Sequence, residues 1–184
     1  MVEWGNFNDD TPVALTEVER DIHERIGENT LNSYSAGVMS NIYRAGAMLR
    51  NHMEREVLGE YGLSFTAFIV MVTLWVWGDM ESQWLAGKAG VTKGTLTGVV
   101  KTLEGRGLCQ RVGHAQDKRK VIVSLTDEGR TAIAKIVPHY NEEETRLVMG
   151  LNQESQVLVA ASLRTILATG SRLKMESRDP SQRS

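Results

Sequence analysis

Apolar residues recur at steps of three and four from Ser33 to about Glu60, through Tyr34, Val38, Ile42, Ala45, Leu49, Met53 and Val57. This spacing predicts a long amphipathic helix. Its opposite side is polar, with Asn41, Arg44, Asn51 and Arg55, so the stripe needs a partner surface along its full length. Upstream, Thr16 followed by Glu19 has the pattern of a capping box before Val18, Ile22 and Ile26, which predicts a short extra helix near 16–29. Downstream, Ser64 is placed as an N-cap for Phe65 to Trp77. That run is apolar all round and is expected to be buried on most sides.

Two shorter helical segments follow, Glu81 to Ala89 closed by Gly90, and Thr92 to Arg106 closed by Gly107. Thr92 can cap the second, whose inward face is Leu96, Val99, Val100 and Leu103. Two helices joined at the Gly90-Val91 corner make a helix-turn-helix arrangement. The period then changes to two. Leu108 to Val112 and Lys120 to Leu125 carry β-favouring residues on either side of a polar stretch, Gly113 to Arg119, which predicts a hairpin with a long charged tip. Thr126 should cap a helix running to about Met149, bent at Pro138, and Asn152 to Lys174 closes the pattern with another long apolar face.

The fold class expected is therefore mainly α with a small β-hairpin wing: a winged helix-turn-helix module at 61–126 plus a helical dimerisation region from 33–60 and 127–175. Residues 1–32 are an N-terminal extension and 176–184 a disordered tail. The two terminal helical regions carry more apolar surface than one small core absorbs, which itself points to a homodimer.

Composition narrows the function. At 184 residues with 41% apolar content the chain has material for a real core. Its net charge of -2 excludes a uniformly basic coat. Charge is instead local: between Ala86 and Leu125 eight basic residues stand against only Glu104 and Asp117, while the remainder is strongly acidic. A cationic module in an anionic body is suited to the phosphate backbone of DNA while resisting indiscriminate adhesion. The single cysteine, Cys109, forms no intrachain disulfide and reads as a small buried apolar residue. The acidic N-terminus is unlike a secretory signal and the longest apolar run is too short to span a bilayer, so a cytoplasmic location without membrane attachment is expected.

The succession helix-turn-helix, L-E-G-R-G-L-C-Q-R from Leu103, Asp117-x-Arg119, then Leu125-Thr126-x-Glu128-Gly129-Arg130 resembles the multiple-antibiotic-resistance regulator (MarR) family of winged-helix transcription factors. The resemblance spans roughly Ser33 to Lys174. It implies a transcriptional regulator, in the usual case a repressor, whose homodimer interlocks through the first long helix and the last two. The winged modules would face the two halves of a pseudo-palindromic double-stranded DNA operator.

In such a module the second helix enters the major groove. Lys93, Thr95, Thr97 and Lys101 would then read bases, with Thr92 at the helix start. The sequence departs from its relatives at Gly98, where a polar or basic side chain is usual; with Gly94 it suggests close approach of the helix backbone to DNA. By the resemblance Arg119 is the arginine inserted in the minor groove, and Asp117 steadies the wing through an ion pair, with Arg111 as one candidate partner. Lys118, Lys120 and His114 would serve phosphates. Relatives commonly release DNA when a small aromatic or phenolic anion enters a crevice beside the dimer helices. The corresponding candidates are Tyr43, Arg44, His52, Phe68, Met71 and Trp75, residue types that serve equally well as core.

No phosphate-binding, nucleophile-elbow, zinc-protease or dinucleotide motif is present, so no catalytic residue and no cofactor are expected. The four histidines share no tight ligand spacing, so no metal site is expected. The competing reading is a winged-helix protein-interaction module that binds no DNA. It has no need of Lys118, Arg119 and Lys120 together.

Overall fold

The structure, a computed structural model, describes residues 20–21, 24–25, 33–113 and 120–176. The chain divides into two units, Met1–His52 and Met53–Ser184. In the first, the described residues are helical: two short pieces at 20–21 and 24–25, and most of helix α1, Ser33–Glu56. The expected extra helix near 16–29 otherwise lies outside the described residues. Within α1 the apolar stripe is largely uncovered, with Tyr34, Val38, Met39 and Tyr43 exposed and Ile42 and Leu49 half-buried.

Helix α1 stops at Glu56, four residues earlier than its apolar spacing predicts. Val57 keeps the pattern but leads into a tighter turn, a 3-10 segment at Leu58–Tyr61, and Val57 and Leu58 are both buried. The second unit continues with α2 (Phe65–Trp77), β1 (Met80–Glu81), α3 (Ser82–Lys88), α4 (Lys93–Gly105), β2 (Cys109–Gly113), β3 (Val121–Leu125), α5 (Asp127–Leu147) and α6 (Gln153–Glu176). The three helices α2, α4 and α5 start where a hydroxyl can accept a free amide. Ser64 takes the Ala67 N–H at 3.2 Å, Thr92 that of Thr95 at 3.1 Å, and Thr126 that of Gly129 at 3.0 Å.

The core is built on α2. Val70, Met71 and Leu74 are essentially inaccessible, and α2 packs against α4, α5 and β3, which bury Leu96, Val100 and Leu103, Ile133 and Ile136, and Val123 respectively. Only its last turn departs from the expected burial, since Trp75, Val76 and Trp77 are exposed. There Lys88 lies over the Trp77 ring at 4.7 Å.

The sheet has three strands rather than the two of a bare hairpin. Its order is β1-β3-β2, all antiparallel, with Met80 opposite Val123 and Arg111 opposite Val123 on the other side. Strand β1 takes Glu81, which the hydropathy pattern assigns to the next helix, together with Met80 before it. Being central, β3 buries Val123, Ser124 and Leu125, whereas β2 buries only Cys109. Helix α5 runs through Pro138, which lies on its exposed side, to Leu147. Helix α6, started by Asn152 accepting the Ser155 N–H at 2.9 Å, leaves Val157, Leu158, Leu167 and Leu173 exposed. Among the described residues no helix is long and apolar enough to cross a membrane.

Candidate nucleic-acid interface

The corner between α3 and α4 sets the aim of α4. Gly90, at φ +67°, lets the Val91 N–H return to Ala86 O at 3.0 Å, a closed helix end that a side chain in this left-handed conformation would strain. Burial of Leu96, Val100 and Leu103 fixes the rotation of α4 about its axis, so its outward face is Lys93, Gly94, Thr97, Gly98 and Lys101. The reading of this helix from sequence and its placement in space agree.

The threonines are partly committed. Thr97 donates its hydroxyl to Lys93 O at 2.8 Å and Thr102 donates to Gly98 O at 3.1 Å, while the Thr95 and Thr92 hydroxyls share a bond at 2.8 Å. Thr97 and Thr102 therefore present an acceptor or a methyl group outward, while one of the Thr92 and Thr95 hydroxyls keeps a proton to donate. Lys93 and Lys101 are the charged donors of this face.

The other end of α4 is tied to two neighbours. Arg106 donates Nη1 to Gly62 O at 2.6 Å and Nη2 to Tyr61 O at 2.7 Å, anchoring the helix end to the turn before α2. Glu104 holds the wing: its Oε1 accepts the backbone N–H of Arg111 at 2.9 Å and its Oε2 pairs with the Arg111 guanidinium at 2.5 Å. The hydrogen bond from Arg111 is the main cause holding the Glu104 carboxyl below its ordinary range, partly opposed by burial. Arg111 thus serves α4-to-wing geometry. Its partner among the described residues is Glu104, an acid that the sequence places seven residues earlier and whose role there depends on where β2 runs. Asp117, the partner suggested by resemblance, lies outside the described residues, as do His114, Lys118 and Arg119.

Lys120, at the near end of β3, pairs with Glu81 Oε1 at 2.8 Å. Between the start of α3, the exposed face of α4 and the wing base lies a cleft of about 350 Å³. Its charged lining is Glu81, Lys93, Arg111 and Lys120, with Thr97 and Ser82 beside them. Five of the predicted DNA contacts, Thr92, Lys93, Thr97, Arg111 and Lys120, thus gather on or near one face, with Lys101 one helical turn beyond Thr97. Sequence reading missed Glu81 and Glu104, which depend on the unpredicted strand β1 and on the path of β2.

The six candidate effector residues have contrasting settings. On α1, Tyr43 is exposed, and Arg44 and His52 are half-buried. On α2, Phe68 and Met71 are core residues, with Phe68 stacked on Tyr140 at 4.2 Å between ring centroids, and Trp75 is exposed. Burial first, and then the negative charge of Glu144, push the Tyr140 hydroxyl toward its neutral form and its pKa up to about 12.

Comparison with known proteins agrees with this architecture. The MarR family model matches residues 63–121, from the residue before the α2 cap to the start of β3. An uncharacterized HTH-type transcriptional regulator of Bacillus subtilis (strain 168), YwaE, is 37% identical over 137 residues, covering 74% of this chain and 80% of the relative. Among solved structures, the MarR family regulator Sco3205 of Streptomyces coelicolor, in complex with DNA, superposes with a TM-score of 0.69 at 25% identity, over 76% of this chain and 89% of that one. BpsR of Bordetella bronchiseptica, whose DNA binding is regulated by 6-hydroxynicotinic acid, gives 0.63 at 24% identity, over 70% and 97%. With its capped helix-turn-helix, three-stranded wing and a relative this similar over most of both chains, the protein belongs to the MarR family of transcriptional regulators.

Proposed function

We propose that the chain is a homodimeric repressor that binds a pseudo-palindromic double-stranded DNA operator and is released by a small aromatic or phenolic ligand. The single observation that carries the DNA half is the face formed by α4 and the wing base, where Lys93, Thr97 and Lys101 point outward beside Arg111 and Lys120. In the major groove Lys93, Thr95, Thr97 and Lys101 contact base edges and phosphates, with Thr92 at the helix start. The hairpin tip, with His114, Asp117, Lys118 and Arg119, reaches the adjacent minor groove. With two lysines and threonines whose hydroxyls are partly committed to the helix, few bidentate donors face the groove, so part of the specificity comes from DNA shape.

The dimer is supported by the uncovered apolar residues of α6 and, separately, of α1. Residues 33–60 and 127–175 supply the dimerisation region and 61–126 the DNA-binding module. The ligand half is supported by BpsR, a regulator of the same fold that answers to an aromatic acid. Tyr43, Arg44, His52, Phe68, Met71 and Trp75 are carried as candidate contacts, each to be tested singly.

The deciding experiment is a salt-dependent mobility shift with the DNA flanking the protein's own gene, alongside sedimentation of the free protein. The expected result is a dimer that binds this fragment, with Arg119→Ala weakening the complex by about 1–3 kcal/mol. Aromatic carboxylates and phenols that raise the melting temperature should then dissociate it. A monomer, or a protein indifferent to every promoter fragment at low salt, overturns the proposal.

A further inference from the structure

Resting on that reading of the DNA-binding face, we propose that Glu81 is an internal competitor of the DNA phosphates. Its carboxylate occupies the Lys120 ammonium in the unbound protein and so holds down the affinity for the backbone. The arrangement follows from the strand that the hydropathy pattern hides. Glu81 pairs across the sheet with Ile122, which brings Lys120, the residue just before the central strand, to its diagonal position. The Ser82 hydroxyl donates to Val121 O at 3.2 Å and pins the β1 end beside it. The Glu81 Oε1 to Lys120 Nζ distance is 2.8 Å.

Two observations give this pair a role beyond the fold. Both partners line the cleft between α4 and the wing, in company with Lys93 and Arg111. Both are also partly open to solvent, with side-chain exposures of 24% for Glu81 and 46% for Lys120, and such a pair adds little to stability. Arg111, which also lines the cleft, is itself engaged by Glu104. A phosphate entering there meets an ammonium already neutralised and a carboxylate that repels it. To use Lys120 it must displace Glu81. A neutralised lysine also releases no counterion from the duplex, so the pair subtracts from both the strength and the salt dependence of binding.

The test is an anisotropy titration of the full chain against two duplexes, the promoter fragment and an unrelated sequence, between about 50 and 200 mM salt. Glu81→Gln should bind both about fivefold more tightly at the low-salt end and steepen the slope of log affinity on log salt by about 0.9. Lys120→Gln should bind more weakly than the parent, and adding Glu81→Gln to it should recover little. Glu81→Thr, a β-favouring replacement, repeats the comparison if the amide disturbs β1.

A Glu81→Gln protein that binds no more tightly than the parent overturns the proposal. So does a gain of equal size without Lys120, because Glu81 would then act only as one more surface charge. If neither the parent nor Glu81→Gln binds either duplex at low salt, the DNA-binding reading fails and this inference with it.

Discussion

Gly129 lies with its Cα against the backbone carbonyl of Leu108, so close that a Cβ at this position would overlap the carbonyl oxygen. The contact joins the first turn of α5 to the corner between α4 and the wing. Thr126 completes it by donating its hydroxyl to Gly107 O at 2.6 Å and its N–H to Leu108 O at 3.2 Å. The obstruction is backbone, which cannot swing aside as a side chain would. Gly129→Ala should therefore cost about 3 kcal/mol or more, read as a lowered urea midpoint. Gly105→Ala, where a Cβ meets open space, is the control and should leave the midpoint unchanged or slightly raised. Equal midpoints for the two variants would show that the corner yields.

Glu104 should govern how firmly the wing is held more than how stable the fold is. Its pair with Arg111 is partly open to solvent, so Glu104→Gln should cost under about 1 kcal/mol of global stability. The Arg111 amide loses its charged acceptor, however, and should exchange with solvent faster than in the parent. The folded-state carboxyl lies below its ordinary range, so the pair's contribution is complete above that range and is lost as pH falls through the folded value. The protection factor of the Arg111 amide, its exchange rate taken relative to the intrinsic rate at each pH, should fall in the parent as pH is lowered from neutral and stay flat in Glu104→Gln. A parent that is also flat would remove Glu104 from the wing's support.

These contacts mark where sequence pattern stops informing. The starts of α2, α4 and α5 were legible because Ser64, Thr92 and Thr126 each precede an apolar helical run, and capping is a local property. The end of α1 is not legible, because Val57 satisfies the apolar spacing while the backbone just beyond it tightens into the 3-10 turn at Leu58–Tyr61. Strand β1 escaped because two residues carry no alternation. Once β1 is missed, Glu81 cannot be set beside Lys120, and the wing's ion pairs become guesses. The acids themselves were partly visible: Glu104 stands out as one of two negative charges in the basic span.

Cys109 should be chemically silent in the folded protein. Its thiol is buried, directs its proton to Val100 O at 3.6 Å, and has its pKa pushed up to about 11, first by burial and then by the nearby Glu104 charge. Iodoacetamide at pH 8 should leave the native chain unmodified and label it fully in denaturant, since the thiolate is the reacting form. The raised value also fixes a sign: the neutral thiol's contribution to stability is complete below its ordinary value near 9 and is lost as pH rises through about 11. Mass spectrometry of the native protein after alkylation decides the matter. Rapid labelling at neutral pH would mean that β2 leaves the sheet readily.

Gly98 sets stability against function at one position. It is in the middle of α4, on the outward face, and a Cβ there meets nothing within 4 Å. Gly98→Ala should therefore stabilise the free protein by about 0.5–1 kcal/mol, since alanine is the better helix former and no contact opposes it. If the glycine is present so that the helix backbone can approach DNA closely, the same methyl group must weaken operator binding. Gly94→Ala, at the first turn where a Cβ meets only the Thr92 hydroxyl at 3.9 Å, should gain less stability and lose less affinity. Thermal melts and operator titrations on the two variants give the four numbers required. A Gly98→Ala protein that melts higher and binds its operator as well as the parent would refute the close approach and leave the glycine without a role in recognition.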